Sequence, residues 1–390
     1  MPQPGSVIIV GAGQAGLQTA LSLRQEGFEG ALTLIGEEEH LPYHRPPLSK
    51  KAIITPMSPE QIEIRSQKVL DEARVTFLPG RRVEAVDHNA KTVSLGAHDT
   101  LKYDVLVLAT GVRPRALGPK HDNLFTLRRY DEAEAVRAAL TDARHVAVIG
   151  GGYIGLEAAA AIRATGRDVT VIEVAERLLA RVTPPLMADY FARLHTERGV
   201  VIKCGVKVAE IVGSARITAL KLSDGATVKT DLVLTGIGNV TDTHLTQPLG
   251  MDAAQGIPVD VLCQTKIPGI YAVGDCTRFH SALYGREVRL ESVQHAVDHA
   301  KAAAKSIVGR GAPYDPVPWF WSDQYDVKLQ IAGLSQGFAE AEVTGDMAQH
   351  RFSVSYRDAR GLLAVDSVND ARSHMLARRE IFARAREAGA

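Results

Sequence analysis

Residues 145–157 read HVAVIGGGYIGLE, and residues 6–18 read SVIIVGAGQAGLQ. Each stretch is an apolar run followed by a glycine-rich turn and then a helical pattern. That order is the fingerprint of a dinucleotide-binding βαβ unit, and here it occurs twice. In the first copy Gly11 permits the tight turn, Gly13 lets backbone N–H groups approach a pyrophosphate, and Gly16 lets helix and strand pack closely. Gly150, Gly152 and Gly155 repeat the arrangement. Each helix start presents unpaired N–H groups and a partial positive charge to the phosphates. Glu37 stands 21 residues after Gly16, and Glu173 stands 18 residues after Gly155, each at the end of the next apolar run. An acid there accepts from ribose hydroxyls. A lone G-x-G-x-x-G is weak evidence, but two copies in matching context predict two dinucleotides in one chain.

The duplication extends past the turns. ALTLIGEE (31–38) and LKYDVLVLATG (101–111) follow the first turn, and DVTVIEVAE (168–176) and VKTDLVLTGIG (228–238) follow the second. Gly11 and Tyr103 are 92 positions apart, Gly150 and Thr230 are 80, and HLPYHRPPLSKK (40–51) lies where the extra length falls. The chain continues through GIYAVGDC (269–276), a helix pattern at about 292–308 and APYDPVPWFWSDQY (312–325), whose prolines mark a boundary. The remainder alternates as strands in VKLQIAG, FSVSY and GLLAVDSV and closes on an arginine-rich helix. The expected fold class is α/β, with two Rossmann-like dinucleotide-binding domains and a small α+β C-terminal domain. The expected boundaries are 1–113 with 245–320 for the first, 114–244 for the second and 321–390 for the last.

The two sites differ in how they are assembled. Gly274 and Asp275 rejoin the first from late in the chain, where Asp275 meets a ribityl or sugar hydroxyl. A ligand held from both ends of the sequence is long and resident, as FAD is. The second site comes from one continuous stretch and suits an exchanging nicotinamide dinucleotide. A carboxylate at Glu173 about 4 Å from a 2′-phosphate repels it by roughly 4 kcal/mol at an effective dielectric of 20, which favours NADH. Arg177 and Arg181 lie nearby and soften that preference.

Composition narrows the function classes. The 390 residues are 45% hydrophobic and 23% charged with a formal net charge of +0, the balance of a globular protein. That balance gives no reason to expect a nucleic-acid partner or a charged membrane surface. Cys204, Cys263 and Cys276 stand well apart, never as C-x-x-C, which fits a reducing compartment. The N-terminus lacks a leader pattern, and no stretch of about 18 residues is apolar throughout. The expected location is cytoplasmic.

With these residues in view, the chain resembles the FAD-dependent, NADH-linked ferredoxin reductases of the putidaredoxin reductase type. The likeness runs from about residue 6 to about 370, and its most specific marks are RPPLSK (45–50) and PWFWSDQY (318–325). LATGVRPR (108–115), VIGGGYIGLE (148–157), YAVGDC (271–276) and RLESVQHA (289–296) add to it. The resemblance implies a glutathione-reductase-like doubled fold with tightly bound FAD. Electrons pass from exchanging NADH to FAD and then singly to a [2Fe–2S] ferredoxin, which feeds an oxygenase. Overall likeness favours a haem-thiolate monooxygenase over a Rieske dioxygenase.

It also implies that Glu37, Arg45, Lys50, Thr110, Asp275 and Trp321 surround the FAD, with Val83 and Val293 touching it through backbone. Ala15, Ala109, Gly111 and Arg128 belong to the same lining. Gly151, Tyr153, Ile154, Glu157, Glu173, Arg181, Gly238 and Glu291 line the NADH site. Lys50, Glu157 and Trp321 are the expected catalytic residues. A Lys50–Glu157 pair bridges the two nucleotide sites, where a cation near the flavin stabilises negative charge on it. Taken without the resemblance, Lys50 is a solvated helix lysine and Glu157 a solvated first-turn acid favoured by the helix dipole. Trp321, taken alone, is a packing anchor. One departure stands at GIGNVTDTHL (236–245), where the family usually has Pro-Asn after GIG. There Thr241 or Asp242 is expected to cap a following helix.

Other signals carry less. Glu291, His295 and His299 recur at helical spacing but supply too few ligands for a metal, and none is expected. Arg65, Lys301, Lys305 and Arg310 are candidate contacts for an acidic ferredoxin, and a monomer or weak dimer is expected. A disulfide or peroxide reductase on the same doubled fold needs a redox cysteine, and the segment from Leu41 to Ile54 has none. The alternative reading is a flavoprotein of the apoptosis-inducing-factor or NADH oxidase/peroxidase type.

Overall fold

The computed structural model describes residues 3–387. Both repeats fold as parallel five-stranded sheets with the same plan. Strand Ser6–Val10 lies between Ala31–Ile35 and Val105–Leu108, all parallel, with Val10 level with Ile35 and Leu108. His145–Ile149 lies likewise between Asp168–Ile172 and Leu232–Thr235, with Ile149 level with Ile172 and Thr235. These strands are near-continuous runs of Val, Ile and Leu because both faces of each sheet are covered. Each unit also carries a three-stranded antiparallel sheet, spanning residues 85–102 in the first and 208–229 in the second.

The fifth strand separates the two. In the first sheet it is Ile270–Ala272, which returns from far along the chain to pair with Val105–Leu108. In the second it is Leu124–Phe125, supplied from just ahead of the repeat. The second unit is thus an insertion into the first. The two crossings between them, Arg113–Pro114 and Asn239–Val240, pair with each other antiparallel. Helix Gln14–Gln25 packs on helix Val293–Ile307, where Ala20, Ala300, Ala303 and Ala304 are fully buried and allow a close approach.

The C-terminal sheet is antiparallel, in the order Trp319–Gln324, Val327–Gly333, Gly361–Val368, Arg351–Asp358 and Glu340–Asp346. It begins at Trp319, two residues before the expected boundary, because the PWFWSDQY motif is itself its first strand. Glu340–Asp346 is exposed along its whole length, so it has no buried face to reveal by alternation. Two large cores result. One fills the first unit, while the other joins the second unit to the C-terminal sheet and to residues 43–62. Tyr190 and Phe352 meet edge to face at 4.9 Å in that shared core. Among the described residues, no helix is long and apolar enough to cross a membrane.

Candidate functional site

The carboxyl end of the first sheet faces a cleft of about 310 Å³, where parallel α/β sheets place their ligands, and the second unit closes it with residues 127–129 and the start of helix Tyr153–Arg163. Its walls include Gly11, Gly13, Ala15, Glu37, Arg45, Lys50, Val83, Ala109, Thr110 and Gly111 from the first unit. Arg128, Tyr153, Ile154 and Glu157 come from the second, and Asp275, Glu291, Val293 and Trp321 from later in the chain. Gly16 and Gly274 stand behind this wall, where a Cβ on Gly274 meets that of Ala15 at 2.8 Å. Gly150, Gly151, Gly152, Gly155, Glu173, Arg181 and Gly238 lie outside the cleft, around the second turn.

The two turns are superimposable in their constraints. Gly11 and Gly150 have φ of +108° and +109°, and a Cβ on either meets a carbonyl oxygen at 2.2 or 2.4 Å. A Cβ on Gly16 or Gly155 comes within 1.8 or 2.1 Å of the carbonyl of Gly11 or Gly150. Nothing lies within 4 Å of a Cβ on Gly13 or Gly152. The first four positions demand glycine for the fold. The last two demand it for whatever approaches the turn.

The acids behave differently. Glu173 accepts from the N–H of Gly151 at 2.6 Å and of Ala175 at 2.8 Å. Glu37 binds no turn N–H in this way. It faces Arg129 at 2.6 Å, Arg113 at 3.1 Å and Arg82 at 3.6 Å. Its neighbour Glu38 is the acid directed inward, toward Arg45 at 2.8 Å and the Tyr43 hydroxyl. Burial opposes that charge, but the Arg45 guanidinium, the Tyr43 hydroxyl and Arg129 together outweigh it and hold the Glu38 carboxyl below the usual range. Arg128 and Asp275 form an ion pair at 3.0 Å.

The pairing of greatest chemical interest joins the units. Lys50 Nζ lies 3.3 Å from Glu157 Oε1 and 3.3 Å from Asp323 Oδ2. Glu157 also accepts from Ser49 Oγ at 2.5 Å and Ser322 Oγ at 2.7 Å. Burial raises the Glu157 pKa, and Lys50 and the two hydroxyls oppose that rise. Lys50 is therefore no solvated side chain. Trp321 stands beside Trp319 at 5.7 Å, and Phe320 packs on the Tyr153 ring at 4.7 Å.

Several sequence expectations take a different form. Glu291 precedes helix Val293–Ile307 and does not share a face with the histidines, because the Ser292 side chain caps the helix at the N–H of His295. Glu291 accepts from Asn239 at 2.6 Å and Arg289 at 2.8 Å, so Asn239 uses the departure from Pro-Asn to fix it. His295 shares a hydrogen bond with the Tyr314 hydroxyl at 2.9 Å, and burial pushes its pKa down to about 4. Arg177 donates to the carbonyls of Thr183 and Ala180 and folds its own loop. Arg181 stays at the second turn, 3.2 Å from where Gly238 would carry a Cβ. No helix follows Asp242, which instead pairs with Arg113 at 2.8 Å and His244 at 2.8 Å. His244 in turn bonds the Val83 carbonyl at 2.9 Å. Arg310 pairs with Glu26 and Lys301 with Asp298, at 3.2 and 3.7 Å.

Ser49, Ser322, Asp323, Glu38 and His244 were not singled out from sequence. Three of them, Ser49, Ser322 and Asp323, lie inside motifs that were, RPPLSK and PWFWSDQY, which is the signal that reaches them.

The residues fit a long ligand with an anionic middle. The space over Gly13 admits a pyrophosphate, and the buried Thr110 hydroxyl has no partner of its own. The cations Arg45 and Arg128 stand along the same wall. Among the described residues no cysteine lines the cleft; Cys263 is buried elsewhere in the first unit, and Cys276 is buried behind the wall at Thr110 and Gly111.

Known proteins bear the same marks. Residues 5–300 match the family described as pyridine nucleotide-disulphide oxidoreductase, and residues 319–390 match the one described as reductase C-terminal. The chain is 39% identical to the putidaredoxin reductase of Pseudomonas putida, over 93% of this chain and 88% of that protein. It is 40% identical to the ferredoxin–NAD(+) reductase component of the anthranilate 1,2-dioxygenase system of Burkholderia cepacia, over 96% and 94%. The solved covalent putidaredoxin reductase–putidaredoxin complex aligns with a TM-score of 0.93 at 39% identity, covering 97% of this chain and 93% of that one. The chain belongs to the pyridine nucleotide-disulphide oxidoreductase family, among the FAD-binding, NADH-using ferredoxin reductases of the putidaredoxin reductase type.

Proposed function

We propose that this chain carries electrons from NADH to a [2Fe–2S] ferredoxin that serves an oxygenase, with a haem-thiolate monooxygenase as the favoured terminus. One observation carries the reading: Lys50 from the first unit and Glu157 from the second pair at 3.3 Å in a cleft that both units wall. When bound, FAD supplies a two-electron acceptor that gives its electrons up singly, which nicotinamide cannot do.

The protein's part is to orient and to stabilise charge. The first turn, Arg45, Thr110, Arg128 and Asp275 hold the resident dinucleotide. The second turn, with Glu173, Arg181, Gly238 and Glu291, receives the exchanging one. Tyr153 and Ile154 bound its nicotinamide end. Lys50 places a cation at the junction, and Glu157 with Asp323 keeps that cation in place. The first unit, 1–113 with 245–320, is the FAD domain and 114–244 the NAD domain. The C-terminal sheet completes the cleft through Trp321. An outlet by a redox cysteine is disfavoured because none reaches the cleft. Arg65, Lys301, Lys305 and Arg310 are exposed and are the candidate ferredoxin contacts.

Anaerobic titration of the purified yellow protein with NADH is the test. Bleaching of the flavin, followed by cytochrome c reduction only when a [2Fe–2S] ferredoxin is added, supports the reading. Cytochrome c reduction that is indifferent to ferredoxin counts against it. Reconstitution with haem-thiolate and Rieske oxygenase systems in parallel decides the terminus.

A further inference from the structure

Ser322, Gln324 and His195 are polar side chains with no exposure to solvent. They form one line. Tyr325 Oη lies 3.2 Å from His195 Nδ1, and His195 Nε2 lies 2.7 Å from Gln324 Oε1. Gln324 Nε2 lies 3.1 Å from Ser322 Oγ, which lies 2.7 Å from Glu157 Oε1. Ser322 and Gln324 share a face of strand Trp319–Gln324 because they are two residues apart. His195 comes from helix Pro185–Glu197 of the second unit.

The direction of every link follows from its end. An ionised carboxylate only accepts, so Ser322 gives Glu157 its single hydroxyl proton. Ser322 is left able only to accept, which turns the Gln324 NH₂ toward it and the Gln324 oxygen toward His195. That oxygen needs a donor, so the His195 proton sits on Nε2. Nδ1 is then bare and takes the Tyr325 hydroxyl. Burial pushes the His195 pKa down to about 4, so the ring is neutral, as the line requires. Tyr325 holds φ at +57°, a conformation a bulky residue rarely keeps without restraint. The Arg198 guanidinium lies 5.0 Å over its ring.

We propose that Ser322, Gln324, His195 and Tyr325 are positioning residues that keep Glu157 in its ionised, accepting form beside Lys50. The inference rests on the role given to Glu157 above. The line orients and does not conduct, since an amide in its middle cannot hand on a proton without becoming an imidic acid. It gives the C-terminal sheet a part in the junction that is distinct from Trp321. Other ionisable groups facing Glu157 are Lys50 from the RPPLSK segment and Tyr153 from its own helix, with Asp323 acting through Lys50.

The test uses the FAD-loaded protein and follows Glu157 by infrared difference titration, with Glu157→Gln assigning its band. Ser322→Ala is expected to raise the Glu157 midpoint by about one pH unit, the size of a lost hydrogen bond to a charged group. Ser322→Thr is expected to restore it. Nitrogen-15 spectra are expected to place the His195 proton on Nε2 in the natural protein and to show mixed tautomers in Ser322→Ala. Tyr325→Phe, which removes only a hydroxyl, is expected to move the midpoint the same way by less. An unchanged midpoint in Ser322→Ala, or an Nδ1 proton on His195 in the natural protein, overturns the proposal. If NADH still bleaches the flavin in that case, the reductase reading stands. If the natural protein is not bleached, the fault lies with that reading.

Discussion

The two glycine turns are built alike and finished differently. Gly11 and Gly150 share a φ within a degree, and the clashes that enforce Gly16 and Gly155 are the same clash. Yet the acid after the second turn is tied to that turn's own N–H, while the acid after the first faces three arginines. The second turn stands outside the cleft, and the first is closed over by chain that returns from residues 270–307. One fingerprint therefore stands in two kinds of surroundings. On the reading proposed above, those surroundings decide which ligand stays and which exchanges.

The sharpest way to separate the turns is to fill the open space over each. The backbone at Gly13 and Gly152 has φ of −84° and −82°, which valine accepts. Gly13→Val is expected to fold and lose FAD, and Gly152→Val to keep FAD and lose NADH. Each loss is about 1,000-fold or roughly 4 kcal/mol, read from flavin absorbance and NADH titration. A variant that loses both ligands breaks the comparison.

Next in size is a pH effect at the seam between the second unit and the C-terminal sheet. Asp366 of the C-terminal sheet accepts from Thr183 at 2.8 Å and Tyr356 at 2.9 Å, and burial lifts its pKa to about 6. The folded value lies above the unfolded one of 3.8, so the unfolded chain ionises first as pH rises. Stability therefore falls between about pH 4 and pH 6 and is level above, by on the order of 3 kcal/mol. Asp366→Asn is expected to gain Tm over the natural protein across that window. Equal Tm differences at pH 4 and pH 7 would show that the carboxyl does not titrate there.

Smaller effects fall on the acids. Glu173→Ala is expected to weaken NADH about tenfold, near 1.4 kcal/mol, and to narrow its advantage over NADPH as the repulsion of a 2′-phosphate is lost. Kinetics with both nucleotides check this. Glu37→Gln leaves three arginines short of a counter-charge at a partly exposed site and is expected to change Tm by less than about 1 kcal/mol's worth. A large effect there would mean that Glu37 holds the first turn as Glu173 holds the second.

What was legible in the sequence follows the same division. The turns, their acids and the insertion could be read because glycine spacing and apolar runs are local. Lys50 and Glu157 came from motifs recognised as a resemblance, since nothing local brings residue 50 to residue 157. Ser322, Gln324 and His195 depend on the C-terminal sheet docking against the second unit, and their types alone suggest an ordinary strand and helix. Strand Glu340–Asp346 escaped notice because it buries nothing. The place of Glu291 was within reach. Ser292 ahead of VQHAV is a helix-start signal, and it puts the acid outside the helix.

The return of Ile270–Ala272 to the first sheet has a consequence for synthesis. The first unit emerges from the ribosome first but lacks its last strand and its covering helix until about residue 307 is made. The second unit is continuous and has all its strands by about residue 240. The portion encoded later is therefore expected to become compact earlier, and a nascent chain halted near residue 245 would present a folded second module on an unfinished first.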